Sequence, residues 1–243
     1  MNEPSQRFDE TGGEGTPDVL PRLLEGYRFR VCEDATAATH ALAVRRQVYV
    51  DGAGYHVPIP DAYDTRSWFL LAEDARTGAP VGSMRLTPRL AGPLEVERYF
   101  TLPQPLRVPQ AVELNRFAIL PAHRKGKTFL PVVSLGLFKL VHSFLSSLGS
   151  EYMIIASKPE RVWTYEWMRF QSAGQRAPYG QLDGAEHELL WYDFQNAPEI
   201  LEGHPFRGFF VEAHYREVVL PRRVPPLGLG VGVATGLDLR AVA

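Results

Sequence analysis

One cysteine, Cys32, stands among 243 residues. A lone thiol excludes an intrachain disulfide and the metal sites built from several thiolates, and it fits a reducing, cytoplasmic setting. Basic charge is also scarce: 26 Lys and Arg stand against 28 Asp and Glu, for a formal charge of -2. Nucleic-acid binding driven by phosphate neutralisation is therefore not expected, and any basic contact surface must be local. No apolar run is both long and unbroken. The longest, 128–148, is interrupted by Lys139, His142 and four serines, so it reads as a buried helix and not as a transmembrane segment. The first 17 residues are polar and acidic, where a secretory leader would be basic and then apolar, so no leader is expected. The histidines show no metal-ligand spacing, Glu186-His187-Glu188 reads as ordinary strand, and no internal repeat is present.

What is there suits a folded enzyme-sized unit: 45% of the residues are hydrophobic and 22% charged, enough for a sizeable core. Residues 1–25 lack periodicity and are expected as a mobile arm, 26–220 as the domain, and 221–243 as a Pro- and Gly-rich tail, either extended or disordered. Within the domain, 27–32 alternates as a strand, and Asp34 caps a helix over 35–50 that Gly52 and Gly54 stop. A proline-containing loop over 55–63 leads to an antiparallel pair, 68–73 and 80–88, the second strand carrying Arg85. A short helix is expected at 95–100. After it come a strand over 112–121, a basic turn, the apolar helix over 128–148, and a buried strand over 151–157. Pro159 then opens a helix running to about Ser172, with Gly174 as its cap, before a strand over 187–194. The segment 206–220 is equally compatible with strand and helix.

The stretch Val112-Glu113-Leu114-Asn115-Arg116-Phe117-Ala118-Ile119 is the chemically unusual part. Strand alternation sets Glu113, Asn115, Phe117 and Ile119 on one face and Leu114, Arg116 and Ala118 on the other. A charged pair in an otherwise apolar strand is poor design for stability alone, because buried charge is costly unless paired. Each charge also has an architectural alternative: Arg45, Asp61, Asp64, Arg85 and Glu113 would serve equally as an ion-pair network at one end of the sheet. Likewise His123-Arg124-Lys125-Gly126-Lys127 is either a solvated turn or a phosphate-attracting helix start. Phe129, Leu130, Leu135, Leu137, Phe138 and Phe144 are core first and an acyl tunnel second; Trp163, Trp167 and Phe170 carry the same ambiguity.

The element order resembles the GNAT acyltransferase superfamily, and the resemblance sharpens at four motifs. Arg45-Arg46-Gln47-Val48-Tyr49, Asp61-Ala62-Tyr63-Asp64, Ser83-Met84-Arg85-Leu86 and Glu113-Leu114-Asn115-Arg116-Phe117 resemble, in order, motifs of the acyl-homoserine lactone synthases and the related long-chain N-acyl amino acid synthases. Two departures stand out. Tyr55 occupies the place of a tryptophan that helps lactone synthases hold S-adenosylmethionine. The pyrophosphate loop is partial, with His123, Gly126 and Thr128 in its three places. The resemblance implies a GNAT-like fold, an α/β arrangement whose mixed central sheet has a splayed central strand pair flanked by helices. The two departures favour the N-acyl amino acid synthase branch, in which the resemblance implies an N-acyltransferase that moves a long-chain acyl group from a thioester, usually on acyl carrier protein and otherwise on coenzyme A, to the α-amine of an amino acid, with no tightly bound cofactor.

The same resemblance assigns roles. Glu113 is the general base, Asp61 or Asp64 orients the ammonium, and Arg85 holds the two aspartates. Arg116 and Arg45 are candidates for the acceptor's carboxylate, because a guanidinium offers a planar two-donor fork. Tyr49, Tyr55 and Phe117 line the acceptor site. His123, Arg124, Lys125, Gly126, Lys127, Ser157 and Trp163 face the acyl donor, and backbone N–H groups where the sheet splays, between 152 and 156, meet the oxyanion. Three alternatives stay open: a lactone synthase using S-adenosylmethionine, a coenzyme A-dependent acetyltransferase, and a non-catalytic acyl-carrier-binding module.

Overall fold

Asp34 starts the first helix: its Oδ1 accepts the amide of Ala37 at 2.8 Å, satisfying a donor that a helix start leaves open. In the computed structural model, which describes residues 22–124, 130–180 and 184–231, this helix is α1 (Ala35–Arg46) and follows strand β1 (Tyr27–Val31). The chain continues through β2 (Trp68–Asp74), β3 (Pro80–Pro88), β4 (Val112–Ile119), α2 (Val132–Ser147) and β5 (Tyr152–Ser157). It ends with α3 (Pro159–Trp167), β6 (Gln171–Pro178), β7 (Glu186–Asp193), the short α4 (Ala197–Ile200) and β8 (Val218–Val219). The strands form one mixed sheet in the order β6-β7-β5-β4-β3-β2-β1-β8, with helices on both faces. None of the described helices is long and apolar enough to cross a membrane.

Alternation along the strands divides the core. Phe29, Leu70, Ala72, Met84, Leu86 and Leu114 pack beneath α2, while Phe69 and Leu71 face the small side chains Ala37, Ala38 and Ala41 of α1. Residues 94–111 carry Leu94, Val96, Phe100, Leu102 and Leu106 into a separate cluster with Ile154 and Leu189 of β5 and β7. The sheet opens at its centre. The parallel pairing of β4 with β5 consists of Val112 with Met153 and Glu113 with Ile154, after which β4 stays with β3 to Ile119 and β5 stays with β7 to Ser157.

Several expectations change. The helix expected to run to Ser172 ends at Trp167, and Gln171–Pro178 is the edge strand β6. Its residues have little strand propensity, but pairing with β7 outweighs that, as at Arg176 and Glu188. Gly174, expected as a helix cap, has φ +67° inside a bulge of β6. The helix over 35–50 is α-helical to Arg46 and becomes a π-turn over Gln47–Gly52. The short helix at 95–100 is a 3₁₀ turn, Glu95–Arg98. The undecided segment 206–220 holds a π-turn, Gly208–Glu212, and β8. Residues 221–231, the described part of the tail, dock on the domain: Trp68 Nε1 donates to Pro225 O at 2.9 Å, and Val231 joins the α1 cluster.

Candidate active site

The opening beside Glu113 is built on a bulge in β4. Ser83 stands opposite Ala118 and Arg85 opposite Asn115, so two steps along β3 match three along β4. The extra residue is accommodated at Arg116, whose φ is +54°, a left-handed conformation rare outside glycine. The strict alternation expected from sequence therefore fails here. Arg116 turns to the same side as Glu113 and Asn115, and Phe117 turns its ring to α2, edge-on to Phe138 with centroids 5.6 Å apart. The carbonyl of Phe117 accepts the hydroxyl of Tyr49 at 3.0 Å, so the π-turn after α1 is anchored on the bulge.

Behind the bulge lies a buried ion network. Arg45 makes a two-pronged contact with Asp64, through Nη1 to Oδ1 at 2.8 Å and Nη2 to Oδ2. Arg85, fully buried, reaches Asp61 at 2.5 Å, Asp64 at 3.1 Å, Glu95 at 2.5 Å and Asn115 at 2.7 Å. Arg116 donates to Asp61 at 3.1 Å and to Glu95 at 2.7 Å. Burial pushes Asp61 upward, but Arg85, Arg116 and Arg45 outweigh it and hold its carboxyl below the usual range. Three guanidinium groups thus balance Asp61, Asp64 and Glu95, and Glu113 is the surplus acid.

Glu113 accepts the amides of Glu95 at 2.6 Å and Val96 at 3.4 Å, and the amide side chain of Asn115 at 3.0 Å. Burial first and the Glu95 carboxylate second push its pKa up to about 7. A carboxyl so tuned exchanges a proton near neutrality, the requirement for a general base at that pH. It lines a cleft of about 460 Å³ that fills the gap between β4 and β5. Phe194 N donates to Glu151 O, so residues 151, 153, 155 and 157 carry the bonds to β7 and the amides of Ile154 and Ala156 point toward β4. Ile154 lies in the last β4 pairing, so the N–H of Ala156 faces the cleft.

Of the side chains singled out from sequence, Arg45, Asp61, Asp64, Arg85, Glu113 and Arg116 converge on one network. Tyr49, Tyr55, Glu113, Arg116, Phe117, Arg124 and Ser157 line the cleft; Arg45, Asp61, Asp64 and Arg85 lie behind its wall. Two donor-side expectations point elsewhere. His123 turns back to β1, where its Nδ1 lies 3.1 Å from the Tyr27 hydroxyl. Trp163 is 48% exposed on α3 with Nε1 bonded to Glu160 O, away from the cleft lining. Lys125, Gly126 and Lys127 lie outside the described residues. Missed from sequence are Glu95, and Lys158, Arg161, Tyr165, Tyr179 and His187 in the cleft wall. Glu95 had one usable signal, an acid between the apolar Leu94 and Val96; the others sit on elements whose facing only the fold decides.

A family model described as N-acyl amino acid synthase FeeM matches residues 40–193, a span that contains the whole network. Among solved structures, FeeM, an N-acyl amino acid synthase from uncultured soil microbes, is similar at 15% identity, over 75% of this chain and 96% of that one, with a TM-score of 0.58. BjaI, a coenzyme A-dependent acyl-homoserine lactone synthase solved with SAM and isopentyl-CoA, gives 17% identity, 87% and 100% coverage, and a TM-score of 0.61. The lactone synthase LasI gives 18%, 69% and 89%, and 0.51. At these identities the structures speak for the fold, which is GNAT-like, and a search of curated proteins finds no match. With more than half its length matched by the family model and the expected motifs gathered at one site, the chain belongs to the N-acyl amino acid synthase FeeM family and is an acyltransferase.

Proposed function

We propose that the cleft transfers a long-chain acyl group from a thioester on acyl carrier protein to the α-amine of an amino acid. The observation that carries this reading is Glu113, a surplus carboxyl with a pKa near 7 at the point where β4 and β5 part. A free α-amine has a pKa near ~8 and enters mostly as ammonium, and the surplus negative charge favours that cation. Glu113 takes one proton, the nitrogen attacks the thioester carbonyl, and the N–H of Ala156 donates to the developing oxyanion. As the C–S bond breaks, the thiolate needs a proton. Tyr179 lines the cleft, and burial, with Glu113 and Glu95 nearby, keeps its hydroxyl protonated. Too weak an acid to give up that proton outright, it passes its proton to the sulfur while taking the second proton of the attacking nitrogen, so that the thiol leaves, the amide is neutral and the tyrosine ends as it began. Asp61, Asp64 and Arg85 act through the network, holding the bulge and Arg116.

A carrier-bound donor is supported by the partial pyrophosphate loop, which offers coenzyme A less than a full glycine-rich turn. Arg124 and Ser157 meet the phosphopantetheine arm in this reading, and a cytoplasmic location, where acyl carrier protein is at hand, belongs to it. Mass spectrometry of lipid extracts from a bacterium expressing the protein tests the reading. N-acyl amino acids should appear with the parent and vanish with Glu113→Ala. Extracts matching an empty-vector control, or an acyl-homoserine lactone as product, would overturn it.

A further inference from the structure

If the acceptor is an amino acid, something must hold its carboxylate, and the network is badly suited to do so. Arg45 is already bonded through both terminal nitrogens to Asp64, and it does not reach the cleft wall. Arg116 is engaged with Asp61 and Glu95. Beside Glu113, an incoming carboxylate would meet that surplus acid, and to bind Arg116 it would have to displace a buried partner, which breaks a desolvated ion pair. The end of the cleft near Glu113 therefore selects for an ammonium and against an anion.

Positive charge that is not neutralised in this way lies at Arg124, which follows β4 and is given above to the donor, and on the opposite wall. Lys158, the residue before α3, is half-buried and lines the same cleft as Glu113. Its Nζ is 3.1 Å from the hydroxyl of Tyr55 and 5.6 Å from the centre of that ring, so the side chain is held across the opening. No acidic side chain among the described residues forms an ion pair with it. An ammonium has three donors and Tyr55 takes one, so two remain. Glu160 and Arg161, the next charged residues on α3, also line the cleft; their opposite charges offset, which leaves the charge of Lys158 on that wall.

We propose that Lys158, steadied by Tyr55, receives the acceptor's carboxylate, so that the enzyme selects α-amino acids over simple amines. This rests on the reading of the cleft as an amine-acylation site. The two substrate charges then meet opposite charges on opposite walls: the ammonium at Glu113 and the carboxylate at Lys158. The guanidinium groups first suited to the carboxylate by type instead keep the bulge in shape.

The test uses the purified full chain with saturating long-chain acyl carrier protein. Two acceptors are compared: the amino acid recovered from the lipid extracts, and the amine left by removing its carboxylate (for leucine, isoamylamine). Lys158→Met should raise KM for the amino acid by about 10- to 100-fold, the weight of a charge-assisted hydrogen bond, and should leave KM for the matched amine and for the donor within about threefold. Lys158→Arg should recover most of the loss. An equal effect on both acceptors would overturn the inference, as would a raised donor KM with unmoved acceptor KM, which would assign Lys158 to the donor's phosphate. A parent enzyme that acylates neither acceptor overturns the underlying reading; acylation of both with an unmoved ratio in Lys158→Met overturns this inference alone.

Discussion

Arg116 and Glu95 show how much one backbone angle and one unremarked acid decide. Residue types named Arg116 as a site candidate, and alternation set it opposite Glu113; its φ of +54° turns it to the same side. No local pattern announces such a bulge, because it is set by the register of β3 against β4. Glu95 acts on Glu113 in two ways: its amide donates to the carboxylate at 2.6 Å, and its own charge raises the Glu113 pKa. Glu95→Gln keeps the amide and removes the charge. The pKa of Glu113 should fall, and the rising limb of kcat/KM against pH should move to lower pH, with a smaller kcat as the base weakens. Breaking the bonds to Arg85 and Arg116 should also destabilise the fold by about 3 kcal/mol. An unmoved pH profile, with stability lost, would leave Glu95 a structural residue only. The candidate residues Arg45, Asp61, Asp64, Arg85 and Glu113 were legible because they lie in recognisable motifs. Glu95 was not, since it has no motif and gains meaning only when its turn folds over β4.

At the scale of elements, the strands and helices through β5 follow their sequence patterns closely, because each has a clear period or a cap. β6 does not: its sequence, Gln171–Pro178, has neither strand composition nor apolar alternation, and it forms because β7 offers a free edge. Packing between α2 and β1 sets a sharper condition. A Cβ added at Gly136 would come within 2.0 to 2.4 Å of three ring atoms of Phe29, which is itself fully buried. Overpacking of that severity is worth about 3 kcal/mol, against about 1 kcal/mol gained from alanine's helix propensity. Gly136→Ala should therefore lose about 2 kcal/mol net, measured as a lower urea midpoint at constant m-value. A gain in stability would mean that α2 stands further from β1 than described.

For the molecule as a whole, the surplus acid links folding to pH. The pKa of Glu113 rises from 4.5 to about 7 on folding, so between those values the folded state binds more protons than the unfolded chain. Its stabilising contribution is complete below about pH 4.5 and is lost as pH rises through about 7. In Glu113→Gln this loss disappears. The stability difference between variant and parent, from urea unfolding at pH 5 and pH 8.5, should shift toward the variant by about 2 kcal/mol. The constant effect of a mispaired amide cancels in that comparison, and an unchanged difference would mean Glu113 titrates normally. The sequence by itself determined the order of most elements, because periodicity and caps are local properties, and its motifs carried the resemblance to the GNAT-like α/β class and marked the acids and arginines of the network except Glu95. Only the tertiary structure decided how those charges pair, which arginines are spent on the protein's own acids, and which side chains line the cleft where β4 and β5 part. Pairing, burial and register depend on residues far apart in the chain, such as Glu95 beside Glu113 and Lys158 beside Tyr55.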